Sequence, residues 1–278
     1  MKTIQKSVIV MLLTVLAACG DEASTTTTQN AETQTTPGVI TEMARPAITV
    51  PQAGKPTAIF LRYDVLEPGV EPYQTRMVIT DDYMRIDDDD NPRNFILVDR
   101  NKEVVYSVSD DNDAILIVPK GPVKLEQAFE IKYSEQRVVE EQAPKIDGKL
   151  TARYIFEANG LACYDTIIAE GLLPEATRAL TQYLSILAGQ HATTLKEVPA
   201  DVINACDVSM HVFKPGMHLV HGLPISEHDP ASGYRRQLIE FEDDYEVDAG
   251  LFVLPEEFGR FTISELQSGA APDQTAGE

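Results

Sequence analysis

The sequence predicts an α+β fold: a single strongly curved antiparallel sheet, open like half a barrel, with one main helix and short helices packed on its concave side. Three observations lead to this prediction. Short apolar segments with a two-residue period alternate with polar turns between residues 58 and 118. One amphipathic helical pattern covers residues 174–189. More strand-like segments follow that helix, so the helical part interrupts the series of strands.

The first half of the folded chain is predicted to be an antiparallel meander. In its first strand, Ile59, Leu61 and Tyr63 alternate with residues that face the other way, and Pro68-Gly69 forms the turn that follows. Further strands are predicted at residues 73–80, 83–87, 95–99, 104–108 and 114–118. Short polar turns join these strands, as is usual in a meander.

The middle of the chain is predicted to add a strand at residues 128–139 and a hairpin. The hairpin pairs residues 150–157 with residues 162–169 around Asn159-Gly160. Asn-Gly favours the tight turns that connect paired strands, because both residues adopt positive φ readily.

The main helix is predicted to begin at Pro174 and to end at Gly189. Proline fits the first helical turn, Glu175 suits the positive end of the helix dipole, and glycine commonly ends a helix. A short second helix is predicted at residues 199–205. The remaining predicted strands are residues 207–213, 217–221, 234–243 and 247–252.

The N-terminus has the pattern of an export signal. Lys2 and Lys6 precede an apolar segment that is too short to span a bilayer, and this segment ends in Leu16-Ala17-Ala18-Cys19. The four residues resemble the lipobox of bacterial lipoproteins, which implies cleavage before Cys19 and acylation of its thiol. Asp21, one position beyond the usual place of an inner-membrane retention residue, favours the outer membrane, with the protein facing the periplasm. The alternative is an ordinary secretory signal with a cysteine at its end.

Composition divides the chain into four parts. Residues 1–18 are predicted to be the signal peptide, residues 19–57 a polar, flexible tether, residues 58–266 the folded domain, and residues 267–278 a disordered tail. The net charge of −21 makes nucleic acid a poor partner, because the phosphates would be repelled. The sequence therefore predicts attachment to a membrane through the acyl chains on Cys19 and no binding of nucleic acid.

Two further cysteines, Cys163 and Cys206, remain for the folded domain. An even number of cysteines in an oxidising compartment predicts one disulfide bond between them. The alternative is a pair of buried free thiols.

The sequence lacks the motifs of several common enzyme classes, including Gly-x-Ser-x-Gly, His-Glu-x-x-His and the phosphate-binding loop. We therefore predict a protein without catalytic residues, cofactor or metal. The acidic run at residues 87–90 is interpreted as a solvated turn, with a calcium site as the alternative. His218, His221 and His228 form the alternative metal trio.

Two smaller predictions concern side chains on strands. Arg235 and Arg236 are adjacent and point to opposite faces, so they are interpreted as cross-strand ion-pair partners and not as a joint anion clamp. If the main helix leaves the concave face open, apolar side chains line a ligand pocket there. The candidates are Leu61, Tyr63, Met77, Ile79, Met84 and Ile86. The alternative is that these six residues are the core beneath the helix.

Seven further segments are informative, namely residues 75–79, 83–87, 95–99, 102–106, 222–225, 236–239 and 251–255. Through these segments the sequence resembles the LolA/LolB-like lipoprotein-carrier superfamily across residues 58–262. The resemblance implies an open half-barrel capped by helices, with an apolar face that holds acyl chains or a protein segment.

Together these observations predict a membrane-anchored, non-enzymatic lipoprotein of the bacterial envelope that binds an apolar ligand, such as a lipid acyl chain, or a protein partner. Two alternatives remain open at this point. One is a structural or sensory envelope lipoprotein with a filled core, and the other is a metal-dependent hydrolase that uses His218, His221 and His228.

Overall fold

The computed structural model describes residues 57–88, 91–125, 130–139, 143–199 and 202–267. Its strands are β1 (Thr57–Leu66), β2 (Tyr73–Ile79), β3 (Tyr83–Asp87), β4 (Phe95–Asp99), β5 (Val104–Ser109), β6 (Ala114–Pro119), β7 (Tyr133–Val138), β8 (Thr151–Ala158), β9 (Leu161–Glu170), β10 (Gly222–His228), β11 (Arg235–Glu246) and β12 (Gly259–Thr262). Its α-helices are α1 (Pro174–Leu195), α2 (Ala205–Val208) and α3 (Ile263–Gln267). The predicted signal peptide lies outside the described residues, as do the tether and the tail apart from residues 57 and 267.

All twelve strands belong to one open sheet, in the order β12-β6-β5-β4-β3-β2-β1-β11-β10-β9-β8-β7. The prediction of a single sheet with one main helix is confirmed, but the purely antiparallel prediction is wrong at one edge. There β12 runs parallel to β6, with Gly259 opposite Ala114. The parallel pair arises because the chain crosses over after β11 and returns beside β6, where the Gly259 N–H donates to the Asp113 carbonyl at 2.8 Å.

The predicted meander and hairpin agree closely with the structure. The strands from β1 to β6 and the β8–β9 hairpin have boundaries within one or two residues of the predicted ones. Asn159 and Gly160 form the hairpin turn and both have positive φ. The predicted strand at residues 128–139 is shorter, because only Tyr133–Val138 pairs with β8.

The second half of the chain requires several corrections. Helix α1 continues through Gly189 to Leu195, and the short helix begins at Ala205, where the Asn204 side chain caps it. The segment predicted as a strand at residues 207–213 is helical, since α2 passes directly into a π-helical segment at Ser209–Phe213. The segments predicted as strands at 217–221 and 247–252 contain short 3₁₀ helices instead, Met217–Leu219 and Ala249–Phe252.

The sheet carries a hydrophobic layer on each face. On one face, α1 packs against apolar side chains from β1 to β6, β9 and β10, and its own contribution includes Ala176, Ala179, Leu180, Ile186 and Leu187. On the opposite face, the segment after β11 covers one half of the sheet. This second layer contains Phe60, Val78, Leu97, Val108, Val247, Phe252, Leu254 and Phe258.

Candidate functional site

The six apolar residues predicted to line a pocket all lie in the core under α1. Leu61, Tyr63 and Met84 are fully buried, and Met77, Ile79 and Ile86 are 2–7% exposed. They belong to the same packed cluster as the buried face of α1. In this arrangement the helix occupies the space where an acyl chain would lie.

On the opposite face of the sheet, no element of the described part of the chain covers β7, β8, β9, β10, β11, β1 and β2. Strand pairing places two rows of side chains across it, and we refer to these rows together as the open face. The first row is Val138, Arg153, Ile167, Ser226, Gln237, Asp64 and Gln74. The second row is Gln136, Ile155, Asp165, His228, Arg235 and Leu66. None of these residues is buried.

The open face is uncovered because of the alternation along its strands. In β1, Tyr63 and Val65 point toward α1, so Asp64 and Leu66 point the other way. Phe60 points to the same side as Asp64, but it lies under the segment after β11. The boundary between the covered and open halves therefore falls along β1.

A cleft of about 770 Å³ lies on the open face. Its lining combines carboxylates, amides, cations and two exposed aliphatic side chains, namely Asp64, Leu66, Gln74, Arg153, Asp165, Ile167, Ser226, His228, Arg235 and Gln237. Volumes of this order are typical of ligand sites, which however are usually more apolar. The mixture of charged, amide and aliphatic groups is closer to that of a protein–protein interface.

The carboxylates of Asp64 and Asp165, which belong to the open face, already have partners. Arg153 donates two hydrogen bonds to Asp165, at 2.7 and 2.6 Å. This contact with Arg153 holds the pKa of the Asp165 carboxyl below its usual value. The Asp64 carboxylate accepts a hydrogen bond from Gln74 Nε2 at 2.8 Å.

A buried polar cluster lies on the helix side of the same strands. Glu227, opposite Arg236 in the β10–β11 pair, bonds to the Arg236 guanidinium, which also lies over the Tyr63 ring at 4.7 Å. His218 Nε2 is 3.0 Å from Glu227 Oε1, and the His218 ring contacts Tyr164. Arg236 and Arg235 thus lie on opposite faces, as the alternation predicts. The predicted cross-strand ion pair forms at Arg236, but the prediction is wrong for Arg235, which pairs with no described carboxylate.

Burial shapes the ionisation of this cluster. Burial, reinforced by the positive charge of Arg236, lowers the pKa of His218 to about 3. Burial raises the pKa of Tyr164 to about 12, and the charge of Arg236 opposes this shift. His218 is therefore neutral at physiological pH, and Glu227 shares its negative charge with Arg236 alone.

The three histidines of the alternative metal trio do not meet. His218 is in the buried cluster, and His228 lies on the open face. His221 Nε2 lies 2.7 Å from Glu135 Oε1, and its ring stacks on Tyr154. Among the described residues, no group of three or more histidine, cysteine or acidic side chains is arranged to hold a metal ion.

The acidic run is divided between two roles. Asp87 is buried and forms ion pairs with Arg76 and Arg85. The Asp88 carboxylate accepts a hydrogen bond from the Asn91 backbone N–H. Asp89 and Asp90 lie outside the described residues.

The predicted disulfide bond between Cys163 and Cys206 is confirmed, with an S–S distance of 2.09 Å. It joins β9 to α2 beneath a small apolar cluster that includes Ile131, Val208 and Met210. Cys19, the predicted acylation site, lies outside the described residues. In the described part of the chain, no helix has the length and apolar character needed to cross a bilayer.

Sequence reasoning did not find the open face. The alternation identifies Asp64 or Gln237 as outward-facing, but it does not show that these two residues are neighbours. Their contact depends on β1 pairing with β11, which lies near the other end of the domain.

Comparisons with known proteins identify no family. No family model matches the chain, and no curated protein does. Among solved structures, one of PNGF-II in space group C2 aligns with a TM-score of 0.37 and 10% identity, covering 77% of this chain and 32% of that one. A second PNGF-II structure, in space group P21, aligns with a TM-score of 0.35 and 7% identity, covering 76% and 32%. The chain thus spans about a third of the length of these proteins, and similarity at this level indicates neither a shared fold nor a shared function.

Proposed function

We propose that this protein is a lipid-anchored, non-enzymatic protein of the bacterial cell envelope that binds a protein partner on its open face. The observation that carries the proposal is the pair of uncovered residue rows around the 770 Å³ cleft. An uncovered patch with charged, amide and aliphatic groups in register suits a partner that offers both hydrogen-bond donors and acceptors.

A protein partner fits this geometry better than an acyl chain. The residues that would line an apolar hollow are packed against α1. Admitting a chain there would require the helix to separate from the sheet and expose the core. The open face needs no such change, since its side chains are already accessible.

In this proposal the sheet is bent into a half-barrel. Four register shifts support the bend: two between β1 and β11, one between β10 and β9, and one between β8 and β9. Such bulges bend a strand and increase its twist. The core under α1 also includes residues of β6 and β9, which would lie about 38 Å apart in a flat sheet.

The anchor and the open face are compatible in this scheme. The tether joins the domain at Thr57, and Asp64 and Leu66 lie about 25–30 Å further along the same strand. Acyl chains on Cys19 would hold the domain at the membrane. The cleft would then lie at the end of β1 away from the attachment point, free to meet a partner.

The test places a photo-activated cross-linking residue in the acylated full chain, at Gln237 in one variant and at Arg178 in another. Gln237 lies in the first row of the open face, and Arg178 is exposed on α1. We expect irradiation of intact cells to give a discrete protein adduct from position 237 and none from position 178. Equal adducts from both positions, or none from position 237, would refute the proposal and favour a structural lipoprotein without a partner on this face.

A further inference from the structure

Arg235 differs from the other arginines of the described chain. Arg62, Arg76, Arg85, Arg93, Arg137, Arg153, Arg178 and Arg236 each pair with a carboxylate. Arg100 and Arg260 donate to backbone carbonyl oxygens. Arg235 has neither an ion pair nor a hydrogen bond with any described residue, although it lines the cleft.

The neighbours of Arg235 do not neutralise it. Across the strands it faces His228 on β10 and Leu66 on β1. Of the nearby carboxylates, Asp165 is paired with Arg153, and Asp64 accepts one hydrogen bond from the neutral Gln74 amide but forms no ion pair with Arg235. In a chain with 44 acidic and 23 basic residues, Arg235 is therefore the exception among the described arginines, with neither a carboxylate nor a carbonyl as its partner.

We propose that Arg235, with His228 beside it, binds the carboxylate of an aspartate or glutamate side chain on the partner protein. This inference rests on the proposed function, because it identifies the chemistry that the partner presents to the open face. A guanidinium matches a carboxylate with two parallel hydrogen bonds, which fixes orientation as well as charge. Leu66 and Ile167 supply the apolar contacts on either side.

The surrounding charges favour a peptide carboxylate over other anions. Asp64 and Asp165 line the same cleft, and the whole chain is strongly acidic. A doubly charged phosphate or an anionic bilayer surface would be repelled by these groups. A peptide brings a single negative charge together with N–H donors that suit the Asp64 carboxylate and the Gln237 amide.

The decisive experiment uses Arg235→Lys in the full chain and a water-soluble carbodiimide. This reagent activates a carboxylate, which an amine in direct contact then attacks to form an amide bond with release of a urea. The guanidinium of the unchanged protein does not react in this way. We expect peptide mapping to find an amide bond between position 235 and an aspartate or glutamate of another protein, with no such bond from a matched Arg178→Lys control.

Two results would overturn the inference. One is the absence of coupling at position 235, and the other is coupling to Asp64 or Asp165 of the same chain. If the photo-adduct from position 237 still forms in either case, the proposed function stands and only the carboxylate contact fails. If that adduct is also absent, the proposed function itself fails.

A second measurement tests the charge without coupling chemistry. With the photo-activated residue at position 237, Arg235→Gln should lower the adduct yield about tenfold, and Arg178→Gln should leave it unchanged. The yield from the unchanged Arg235 protein should fall as salt is raised. An unaltered yield in Arg235→Gln, or an adduct that extracts as lipid and resists protease, would refute a peptide carboxylate.

Discussion

The Asp87 carboxylate lies between two guanidinium groups and is only 1% exposed. It accepts hydrogen bonds from Arg76 at 2.7 Å and from Arg85 at 2.6 Å. Arg85 in turn lies 3.7 Å from the Phe95 ring centre and donates to the Leu251 carbonyl at 2.6 Å. Arg85, which Asp87 holds in place, thereby connects β3 to the segment after β11.

Removing the negative charge of Asp87 should destabilise the folded protein. In Asp87→Asn, buried Arg85 loses its counter-charge, and we expect the free energy of unfolding to fall by about 3–5 kcal/mol in urea titrations. The control is Asp81→Asn in an exposed turn, which should change stability by less than about 0.5 kcal/mol. If the free energy of unfolding fell by less than about 1 kcal/mol in Asp87→Asn, water would be solvating the Arg85 guanidinium in place of the lost carboxylate.

His218 should make stability depend on pH. Its folded pKa of about 3 is below the usual value, so the unfolded chain takes up the proton first. The stabilisation is complete above about pH 6.5 and is lost as pH falls toward 3. Burial also lowers the pKa of His191, to about 4. His191 therefore contributes to the same dependence of stability on pH.

The test is a series of urea titrations between pH 8 and pH 4.5. We expect His218→Gln to reduce the slope of unfolding free energy against pH by up to about 1.4 kcal/mol per pH unit in the acidic range. A slope identical to that of the unchanged protein would show that folding does not lower the pKa of His218.

At the scale of elements, Gly189 shows where a local pattern misleads. The sequence analysis took this glycine as the end of the main helix, but α1 continues for another turn and a half. A Cβ at position 189 would lie 2.6 Å from the Gly121 carbonyl oxygen, so the glycine allows the loop after β6 to approach the helix. The sequence shows that position 189 is a glycine, but only the contact with Gly121 explains why a larger residue does not fit there.

Gly189→Ala should therefore destabilise the protein despite the better helix propensity of alanine. We expect a net loss of about 1–2 kcal/mol, since a gain of about 1 kcal/mol in propensity opposes a larger packing strain. Gln190→Ala is the matched control at the next position and should stay within about 0.5 kcal/mol. A rise in Tm for Gly189→Ala would show that the loop moves away freely.

The elements that could be predicted are those specified by neighbouring residues. Strands β2 to β6 follow from two-residue alternation and polar turns, and Asn159-Gly160 fixes the β8–β9 hairpin. The segment after α1 depends instead on one distant constraint and on one cap that apolar periodicity does not reveal. The Cys163–Cys206 bond and the Asn204 cap favour helix where apolar periodicity alone suggested a strand.

At the scale of the whole molecule, the proposed anchor makes a direct prediction. Cys19→Ser should abolish incorporation of an alkyne-labelled fatty acid and move the protein from the membrane fraction to the soluble fraction. Replacement of the neighbouring Ser24 by alanine is the matched control and should leave both unchanged. Continued labelling of Cys19→Ser would show that acylation occurs elsewhere in the chain.

The open face also depends on the arrangement of the whole molecule. For this reason the sequence analysis did not identify it. The open face brings together side chains from β1, β2 and β7 to β11, and β3 to β6 and α1 separate these strands along the chain. Only the polar character of single positions, such as Asp64 and Gln237, is visible in the sequence. Their arrangement in rows depends on the order of the strands.

The central position of β1 has a consequence for how the chain is made. One edge of β1 pairs with β2 at once, but the other edge waits for β11, which is made only after β2 to β10. Until then, the nascent chain presents a long row of unpaired backbone groups, which is a template for aggregation. Chains that stop short of residue 235 keep that edge exposed permanently, so unfinished molecules carry a clear feature by which cellular quality control can recognise them.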